Sequence, residues 1–200
     1  MKIIRSLHMA SKNKLIIITA PSGAGKTSIT NYLLNKYSSL SFSISATTRQ
    51  ARQGEIEGKH YYFISLESFQ QKIHDNAFIE WEMVYEGKYY GTLKSELRRI
   101  WDENKTPVLD IDVQGAIHVQ QQFNESAFSI FVSPPSIEEL ERRLKNRGSE
   151  TAESVQTRIS KASYEISFNH QFDAIVVNDC FENACIETEG LIKSFLGDKL

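Results

Sequence analysis

Residues 15–27 indicate how this chain folds, and they read Leu15-Ile16-Ile17-Ile18-Thr19-Ala20-Pro21-Ser22-Gly23-Ala24-Gly25-Lys26-Thr27. The first four residues of this stretch are apolar on both faces, which is typical of a buried parallel strand. Small turn residues follow, and Ile29, Leu33 and Tyr37 then recur every four residues. This spacing predicts an amphipathic helix over about 26–37. The stretch therefore predicts a strand, a tight loop and a helix in direct succession.

The loop matches the phosphate-binding pattern G-x-x-x-x-G-K-[ST] except at its first position, where Ala20 replaces glycine. Glycines let successive backbone N–H groups surround a phosphate, and the following helix N-terminus adds partial positive charge. Lys26 can reach the β- and γ-phosphates of a nucleotide, and Thr27 offers a hydroxyl to Mg²⁺. We expect an ordinary backbone conformation at Ala20, because alanine rarely adopts a positive φ. The candidate ATP-binding residues of the loop are Ala20, Pro21, Ser22, Gly23, Ala24, Gly25, Lys26 and Thr27.

Three further apolar segments predict buried strands at 108–111, 128–132 and 174–177, each followed by a helical pattern. Strands that alternate with helices predict an α/β fold, with a parallel sheet covered by helices on both faces. The loop makes this a P-loop NTPase core. We assign the core to about 14–40, 93–143 and 161–200 of a single domain.

Two interruptions of the core have a different character. Residues 41–92 alternate polar and apolar side chains and are rich in Tyr and Phe, which predicts a small mixed β lobe with one helix near 66–75. Residues 144–160 are helical and bear arginine, which predicts a lid. Arg143, just before this stretch, and Arg147 lie four apart on one helical face, and Arg158 follows about three turns later. The alternative for these arginines is a solvated basic face that pairs with acidic neighbours.

Composition limits the classes of partner. The 200 residues carry a net charge of −2, which gives no broad electrostatic footprint for nucleic acid or for an acidic membrane. The longest apolar run, 15–18, is far too short to cross a bilayer. Two cysteines provide neither a disulfide framework nor a metal-ligand set, which favours a cytoplasmic location. Arg5 interrupts the apolar part of residues 1–14, so we expect a frayed tail there and no secretory signal.

A pair of aspartates, Asp110 and Asp112, closes the predicted strand at 108–111. Residues two apart on a strand point to the same side, so both carboxylates are expected at the carboxyl end of the sheet, where α/β proteins bind ligands. Asp112 is our candidate for the carboxylate near Mg²⁺, together with Thr27. The other carboxylate can accept hydrogen bonds from a substrate base or order an arginine. The alternative is that the pair only caps neighbouring backbone N–H groups.

Several separated segments resemble guanylate kinases in order and spacing, over roughly 14–196. In the lobe these are 45–55 (SATTRQARQGE), 58–63 (GKHYYF), 78–81 (FIEW) and 89–92 (YYGT). The run 109–115 (LDIDVQG), the segment Pro134-Pro135-Ser136, and Arg143 with the run that ends in 146–148 (NRG) are similar too. The turn at 85–88 is about one residue longer than in the common bacterial form, which affects the expected geometry of this hairpin.

The resemblance implies an ATP:GMP phosphotransferase that uses Mg²⁺ and transfers the γ-phosphoryl group in line. It implies that the phosphate of GMP is held by Ser45, Arg49, Arg52, Tyr61 and Tyr90. It implies that guanine is read by Glu80, Thr92 and Asp110, and that Asn178 lies near the adenine of ATP. The catalytic set that it implies is Lys26, Arg49, Arg147 and Arg158. Two arginine forks on one phosphate dianion are also what the chemistry of the residues favours.

Two other functions compete with this interpretation. Guanylate-kinase-like modules bind phosphorylated peptides without catalysis, but they typically lose the ATP-binding half that Lys26, Thr27 and Asp112 retain here. A kinase for another nucleoside monophosphate is the second alternative, and Glu80 and Thr92 argue against it. We expect the small molecules ATP and GMP as partners, with no nucleic acid and no membrane. The sequence leaves the oligomeric state open.

Overall fold

The computed structural model of the protein describes residues 13–146, 152–197 and 200, without the side chains of 85 and 152–154. Most of the expected N-terminal tail, residues 1–12, lies outside the described residues. The strands are β1 (Leu15–Thr19), β2 (Leu40–Phe42), β3 (Ala46–Thr47), β4 (Tyr62–Phe63), β5 (Phe78–Tyr85), β6 (Lys88–Leu93), β7 (Thr106–Asp110), β8 (Ala127–Ser133) and β9 (Ala174–Val177). The helices are α1 (Lys26–Lys36), α2 (Leu66–His74), α3 (Lys94–Asp102), α4 (Val113–Phe123), α5 (Ile137–Lys145), α6 (Ala152–Ile166) and α7 (Phe181–Leu196).

A five-stranded parallel sheet in the order β2-β7-β1-β8-β9 forms the centre of the molecule. All five residues of β1 are buried, because helices cover the sheet on both sides. Ile16 and Ile18 pack in one apolar cluster with residues of α1 and α7, and Leu15 and Ile17 pack in another with residues of α3 and α4. The predicted α/β fold with a doubly covered parallel sheet is confirmed.

The strand β2 was not predicted. It pairs in parallel with β7, where Leu40 lies opposite Thr106 and Phe42 opposite Val108. Three residues with a serine in the middle are too short to produce a recognisable apolar run. The sheet consequently extends to Phe42, past the position 41 at which the sequence placed the start of the lobe.

A second sheet in the order β4-β3-β6-β5 lies beyond β2 in the chain and mixes parallel and antiparallel pairs. Ala46, Phe69 and Phe78 form its small core beneath α2. The β5–β6 hairpin has a register shift between Met83 and Tyr85, and Gly87 in its turn has a φ of 69°. The extra length expected at 85–88 is accompanied by this irregularity just before the turn.

Helices α5 and α6 follow β8 and pack against each other through Leu140, Leu144, Val155 and Ala162. Ser136 caps α5, since its Oγ accepts a hydrogen bond from the Glu139 amide at 3.1 Å. Residues 147–151, in the middle of the expected lid, lie outside the described residues. No helix within 13–146 or 152–197 combines the length and apolar composition that a membrane span requires.

Candidate functional site

The loop between β1 and α1 owes its shape to two glycines. Gly23 has a φ of 99° and Gly25 a φ of 104°, and residues with a side chain rarely adopt such angles. A Cβ on Gly25 would lie only 2.1 Å from Nδ2 of Asn178, so the loop also needs the missing side chain for space. Ala20 does not have a positive φ, as expected, and replacing glycine there imposes no backbone strain.

Asn178 follows β9 directly and is buried against this loop. Its Nδ2 donates a hydrogen bond to the carbonyl oxygen of Ala24 at 2.7 Å. The side chain of Asn178 therefore helps to fix the backbone of the phosphate-binding loop. Its implied position near adenine stays a prediction.

Lys26, the first residue of α1, points across to the end of β7. Its Nζ lies 2.5 Å from Oδ1 of Asp110 and donates a hydrogen bond to the carbonyl oxygen of Ile111 at 3.1 Å. The same carbonyl accepts a hydrogen bond from the buried hydroxyl of Thr19 at 2.9 Å. Lys26 thus lines a cavity of about 310 Å³, together with the other loop residues, Asp110 and Asp112.

The two aspartates reach this cavity by different routes, which corrects one prediction. Strand β7 ends at Asp110, and Asp112 is the N-cap of α4 and does not belong to the strand. Oδ1 of Asp112 accepts hydrogen bonds from the amides of Gln114 at 2.9 Å and Gly115 at 3.0 Å. The capping alternative is therefore correct for Oδ1 of Asp112, while Oδ2 takes no part in the cap. Both aspartates still line one cavity, as the prediction required.

Glu165 is a residue of the cavity that the sequence did not single out. It lies in α6, is only 8% exposed, and lines both this cavity and a neighbouring one of about 200 Å³. Burial raises the pKa of its carboxyl group, and the positive charge of Lys161, 3.7 Å away, opposes that shift. An acidic residue on the buried face of α6, in line with Val155 and Ala162, was the available signal.

In the loop that follows β3, Arg49 is surrounded by groups that fix its guanidinium. Nε donates to the hydroxyl of Tyr90 at 3.0 Å, while Nη1 and Nη2 form a fork on Glu55 at 2.5 and 2.6 Å. The ring of Tyr61 lies 4.8 Å from the guanidinium carbon and contacts the ring of Tyr90 edge-on. Three of the implied phosphate ligands, Arg49, Tyr61 and Tyr90, are therefore brought together.

Glu55 lay in a quoted segment but received no role from the sequence. Its fork with Arg49 and a hydrogen bond from the amide of Arg52 lower the pKa of its carboxyl group to about 2. The side chain of Arg52 itself is exposed, and Ser45 is half-buried at the edge of β3. The backbone carbonyl of Ser45 accepts a hydrogen bond from the amide of Tyr62 at 2.9 Å.

The implied base-reading residues form a buried polar pair. Glu80 on β5 and Thr92 on β6 are cross-strand partners, and Oγ1 of Thr92 donates to Oε1 of Glu80 at 2.6 Å. Glu80 is 6% exposed, and its burial raises the pKa of the carboxyl group to about 7. The hydrogen bond from Thr92 opposes that rise, and the negative charge of Asp112 adds to it. A buried carboxylate next to a hydroxyl can accept hydrogen bonds from a ligand with two adjacent donors.

Asp110 lies between the phosphate-binding loop and the cluster around Arg49. Its negative charge contributes, after burial, to the raised pKa of Tyr61, so it acts on the second sheet as well as on Lys26. The phosphate-binding loop and the cluster around Arg49 consequently face the same carboxylate. This arrangement can hold two phosphorylated ligands with their phosphates towards each other.

Of the three arginines of the expected lid, two are within the described residues. Nη1 of Arg158 on α6 donates to Oγ of Ser22 in the phosphate-binding loop at 2.8 Å, so this arginine reaches the site. Nε of Arg143 donates to Glu139 at 2.8 Å, which is the acidic pairing foreseen in the solvated-face alternative. Arg147 lies outside the described residues.

Comparisons with known proteins agree with this arrangement. The guanylate kinase family model matches residues 12–195. The chain is 43% identical over 194 residues to a guanylate kinase from Bacteroides fragilis, covering 97% of this chain and 95% of that protein. It is 48% identical over 183 residues to a guanylate kinase from Bacteroides thetaiotaomicron, covering 92% and 90%. The crystal structure of guanylate kinase from Anaplasma phagocytophilum superposes with a TM-score of 0.74 at 30% identity, covering 94% of this chain and 88% of that one.

Proposed function

The chain belongs to the guanylate kinase family, and we propose that it transfers the γ-phosphoryl group of ATP to GMP or dGMP. The transfer is direct and in line, and it gives ADP and GDP. The observation that carries the proposal is the contact between Nζ of Lys26 and Asp110. Lys26 belongs to the loop that suits a nucleoside triphosphate, and Asp110 belongs to the residues that suit a base. The contact therefore brings the two proposed sites together.

ATP is the donor, bound in the loop from Ala20 to Thr27. The backbone N–H groups of the loop and the N-terminus of α1 receive its phosphates, and Lys26 neutralises the β- and γ-phosphates. Hydroxyl and carboxylate oxygens suit Mg²⁺, and Thr27 and Asp112 line the same cavity, so the residues present fit this ion. Thr27 and Asp112 would hold it, and it would neutralise charge on the phosphates of ATP.

GMP is the acceptor, and its phosphate belongs with Arg49, Tyr61 and Tyr90. The guanidinium of Arg49 is already oriented by the hydroxyl of Tyr90 and by Glu55, so little side-chain freedom is lost when a phosphate binds. The tyrosine hydroxyls add neutral donors to the charged fork. Ser45 and Arg52 complete the proposed phosphate site from the same edge of the lobe.

Guanine is distinguished from adenine by Glu80. Guanine presents N1–H and an exocyclic amine on one edge, and an ionised carboxylate can accept from both. Thr92 fixes Oε1 of Glu80, and Asp110 supplies a further acceptor near Tyr61. Adenine places a lone pair where guanine has N1–H, which leaves the carboxylate without its partner. A site of this kind can reject the wrong ligand by roughly 10⁴–10⁵.

Arginines from two parts of the chain bring positive charge to the transferring phosphoryl group. Arg49 approaches from the acceptor lobe, and Arg158 approaches from α6 through its contact with Ser22. Arg147 belongs to the same proposed set on the strength of its place in the sequence. Such arginines stabilise the charge of the transition state.

The inactive peptide-binding module is the less favoured alternative, because Lys26, Thr27 and Asp112 line one intact donor cavity. A cytoplasmic location is part of the proposal and agrees with two free cysteines, Cys180 and Cys185. The oligomeric state is left open.

The test is a coupled assay with ATP and each of GMP, AMP, UMP and CMP, combined with calorimetric binding of GMP. We expect turnover with GMP at a kcat/KM at least about 10³-fold above that of the other three nucleotides. Tight binding of GMP without turnover would favour the inactive module. Comparable turnover with AMP would make the protein a kinase for another monophosphate.

A further inference from the structure

Gly115 occupies a position at which helix geometry does not call for glycine. It lies in the first turn of α4, and its φ is not positive, so its backbone conformation is open to any residue. Alanine has the higher helix propensity at such a position. The reason for a glycine must therefore lie in what surrounds its α-carbon.

What surrounds it is the carboxylate of Glu80. A Cβ on Gly115 would lie 2.9 Å from Oε2 of Glu80 and 3.3 Å from its Cδ, both closer than ordinary van der Waals contact. A long side chain could normally turn away, but Glu80 is buried and its Oε1 accepts from Thr92 at 2.6 Å. The carboxylate is thus confined between Thr92 on one side and the bare α-carbon of Gly115 on the other.

Gly115 itself cannot easily retreat. Its amide donates to Oδ1 of Asp112 at 3.0 Å, the bond that caps α4 beside the donor cavity. The hydrogen bond to Asp112 therefore fixes the backbone of Gly115, while the carboxylate of Glu80 fills the space next to its α-carbon. One residue connects the cap at Asp112 to the position of Glu80.

We propose that Gly115 is a positioning residue for base specificity: the absence of a side chain at 115 leaves Glu80 the position from which its carboxylate takes both N–H donors of guanine. This rests on the proposed GMP kinase function. Gly115 is not among the residues that line the cavity of the phosphate-binding loop, and it acts through Glu80. An added methyl group would displace the carboxylate by a few tenths of an ångström, and the exocyclic amine of guanine would lose part of its partner.

The probes are Gly115→Ala and a matched control, Gly190→Ala. Gly190 also lies inside a helix, α7, but a Cβ there would meet nothing within 4 Å. Both substitutions raise helix propensity, so only Gly115→Ala adds a contact. The substrates are GMP and inosine monophosphate, which differ only in the exocyclic amine.

We expect Gly115→Ala to lower kcat/KM for GMP by about 10-fold or more, mainly through KM, because the displaced carboxylate pairs less well with the exocyclic amine and one charge-assisted hydrogen bond is worth about that factor. The preference for GMP over inosine monophosphate should shrink by about 10-fold, with the KM for ATP unchanged within about twofold. Gly190→Ala should match the wild type in every parameter. A folded Gly115→Ala enzyme with the wild-type preference would overturn the proposal.

A second background separates displacement of Glu80 from general damage. In Glu80→Asp the carboxylate is one methylene shorter, so the close contact of 2.9 Å between a methyl group at 115 and Oε2 is removed. Adding Gly115→Ala to Glu80→Asp should therefore change kcat/KM for GMP by less than about twofold, a strong coupling between the two sites. The double variant should also fold if the single Gly115→Ala variant does not. Equal losses in both backgrounds, or a double variant that fails to fold, would overturn the proposal. A wild-type enzyme that does not use GMP would instead overturn the proposed function.

Discussion

Oδ1 of Asp110 lies 2.5 Å from Nζ of Lys26, so the end of β7 and the start of α1 are joined by an ion pair at the centre of the site. Burial raises the pKa of the phenol of Tyr61, which precedes β4, and the negative charge of Asp110 adds to this rise. One carboxylate is therefore shared by the proposed donor and acceptor sites. In the proposed complex the phosphates of ATP would offer Lys26 a second set of anionic partners, which would leave Asp110 available to the acceptor.

Lys26→Ala should lower kcat by about 10²–10³ or more, because the developing charge on the phosphates loses its nearest cation. The affinity for GMP should change by less than about threefold, since Lys26 belongs to the donor side. Turnover assays and calorimetry with GMP measure the two effects. Lys145→Ala is the control, since Lys145 pairs with Glu141 on the exposed face of α5. A Lys26→Ala enzyme that keeps most of its turnover would exclude the assigned role of the loop.

Arg158→Ala should lower kcat by about 10³ with a smaller effect on the KM for GMP, because arginines act on the transition state in this role. The control is Arg142→Ala, whose guanidinium is well exposed and pairs with Glu139 one turn earlier on α5. Steady-state kinetics with ATP and GMP distinguish the outcomes. An unchanged kcat with a raised KM for GMP would move Arg158 to the acceptor site.

Ala20→Gly should leave the affinity for ATP unchanged, because Ala20 already has a backbone conformation open to both residues. The substitution should nevertheless lower the free energy of unfolding by roughly 1–2 kcal/mol. Its methyl group is buried in the cluster around Ile16 and Ile18, and glycine adds freedom to the unfolded chain. Calorimetry and urea unfolding measure the two quantities. A large gain in ATP affinity would show that alanine compromises the native loop.

The buried carboxyl of Glu80 should make stability depend on pH. Its pKa rises from 4.5 to about 7 on folding, chiefly through burial, so the folded state binds the proton more tightly than the unfolded state does. The stability that this proton contributes is complete below about pH 4.5 and is lost as the pH rises through about 7. In Glu80→Gln this dependence is absent. The unfolding free energy of the variant should therefore gain roughly 2.5 kcal/mol on that of the wild type between pH 5 and pH 8, measured by urea unfolding. A constant difference across this range would mean that Glu80 is not perturbed.

The parts of the molecule that sequence could predict are those set by local pattern. The strand β1, its loop and α1 follow from consecutive apolar, small and amphipathic residues, and the structure has them at Leu15–Thr19 and Lys26–Lys36. The strands β8 and β9 were likewise visible as apolar runs. The short strand β2 was not, because its partner β7 lies more than 60 residues away and supplies the pairing.

The parts that sequence could not predict depend on contacts between distant residues. The place of Glu165 on the buried face of α6 marks it as an unusual acid, but only the folded chain shows that it lines the cavity of Lys26. The role of Asp112 depended on whether β7 ends at Asp110 or two residues later, a difference that converts a strand residue into a helix cap. Glu55 was passed over because only the folded lobe places it against Arg49.

The role of Glu80 in reading the base is tested most directly by the ratio of kcat/KM for GMP to that for AMP, measured on the wild type and on Glu80→Gln. We expect the wild-type ratio to be about 10⁴ or higher, because AMP leaves a buried carboxylate unpaired. In Glu80→Gln the ratio should fall by at least about 10²-fold while the KM for ATP stays constant, since an amide can donate to adenine as well as accept from guanine. The control is Glu57→Gln, an exposed acid of the same lobe whose Oε2 accepts from the amide of Phe63, and it should keep the wild-type ratio. A ratio that is unchanged in Glu80→Gln would mean that Glu80 does not read the base, and would contradict the proposed acceptor site at its centre.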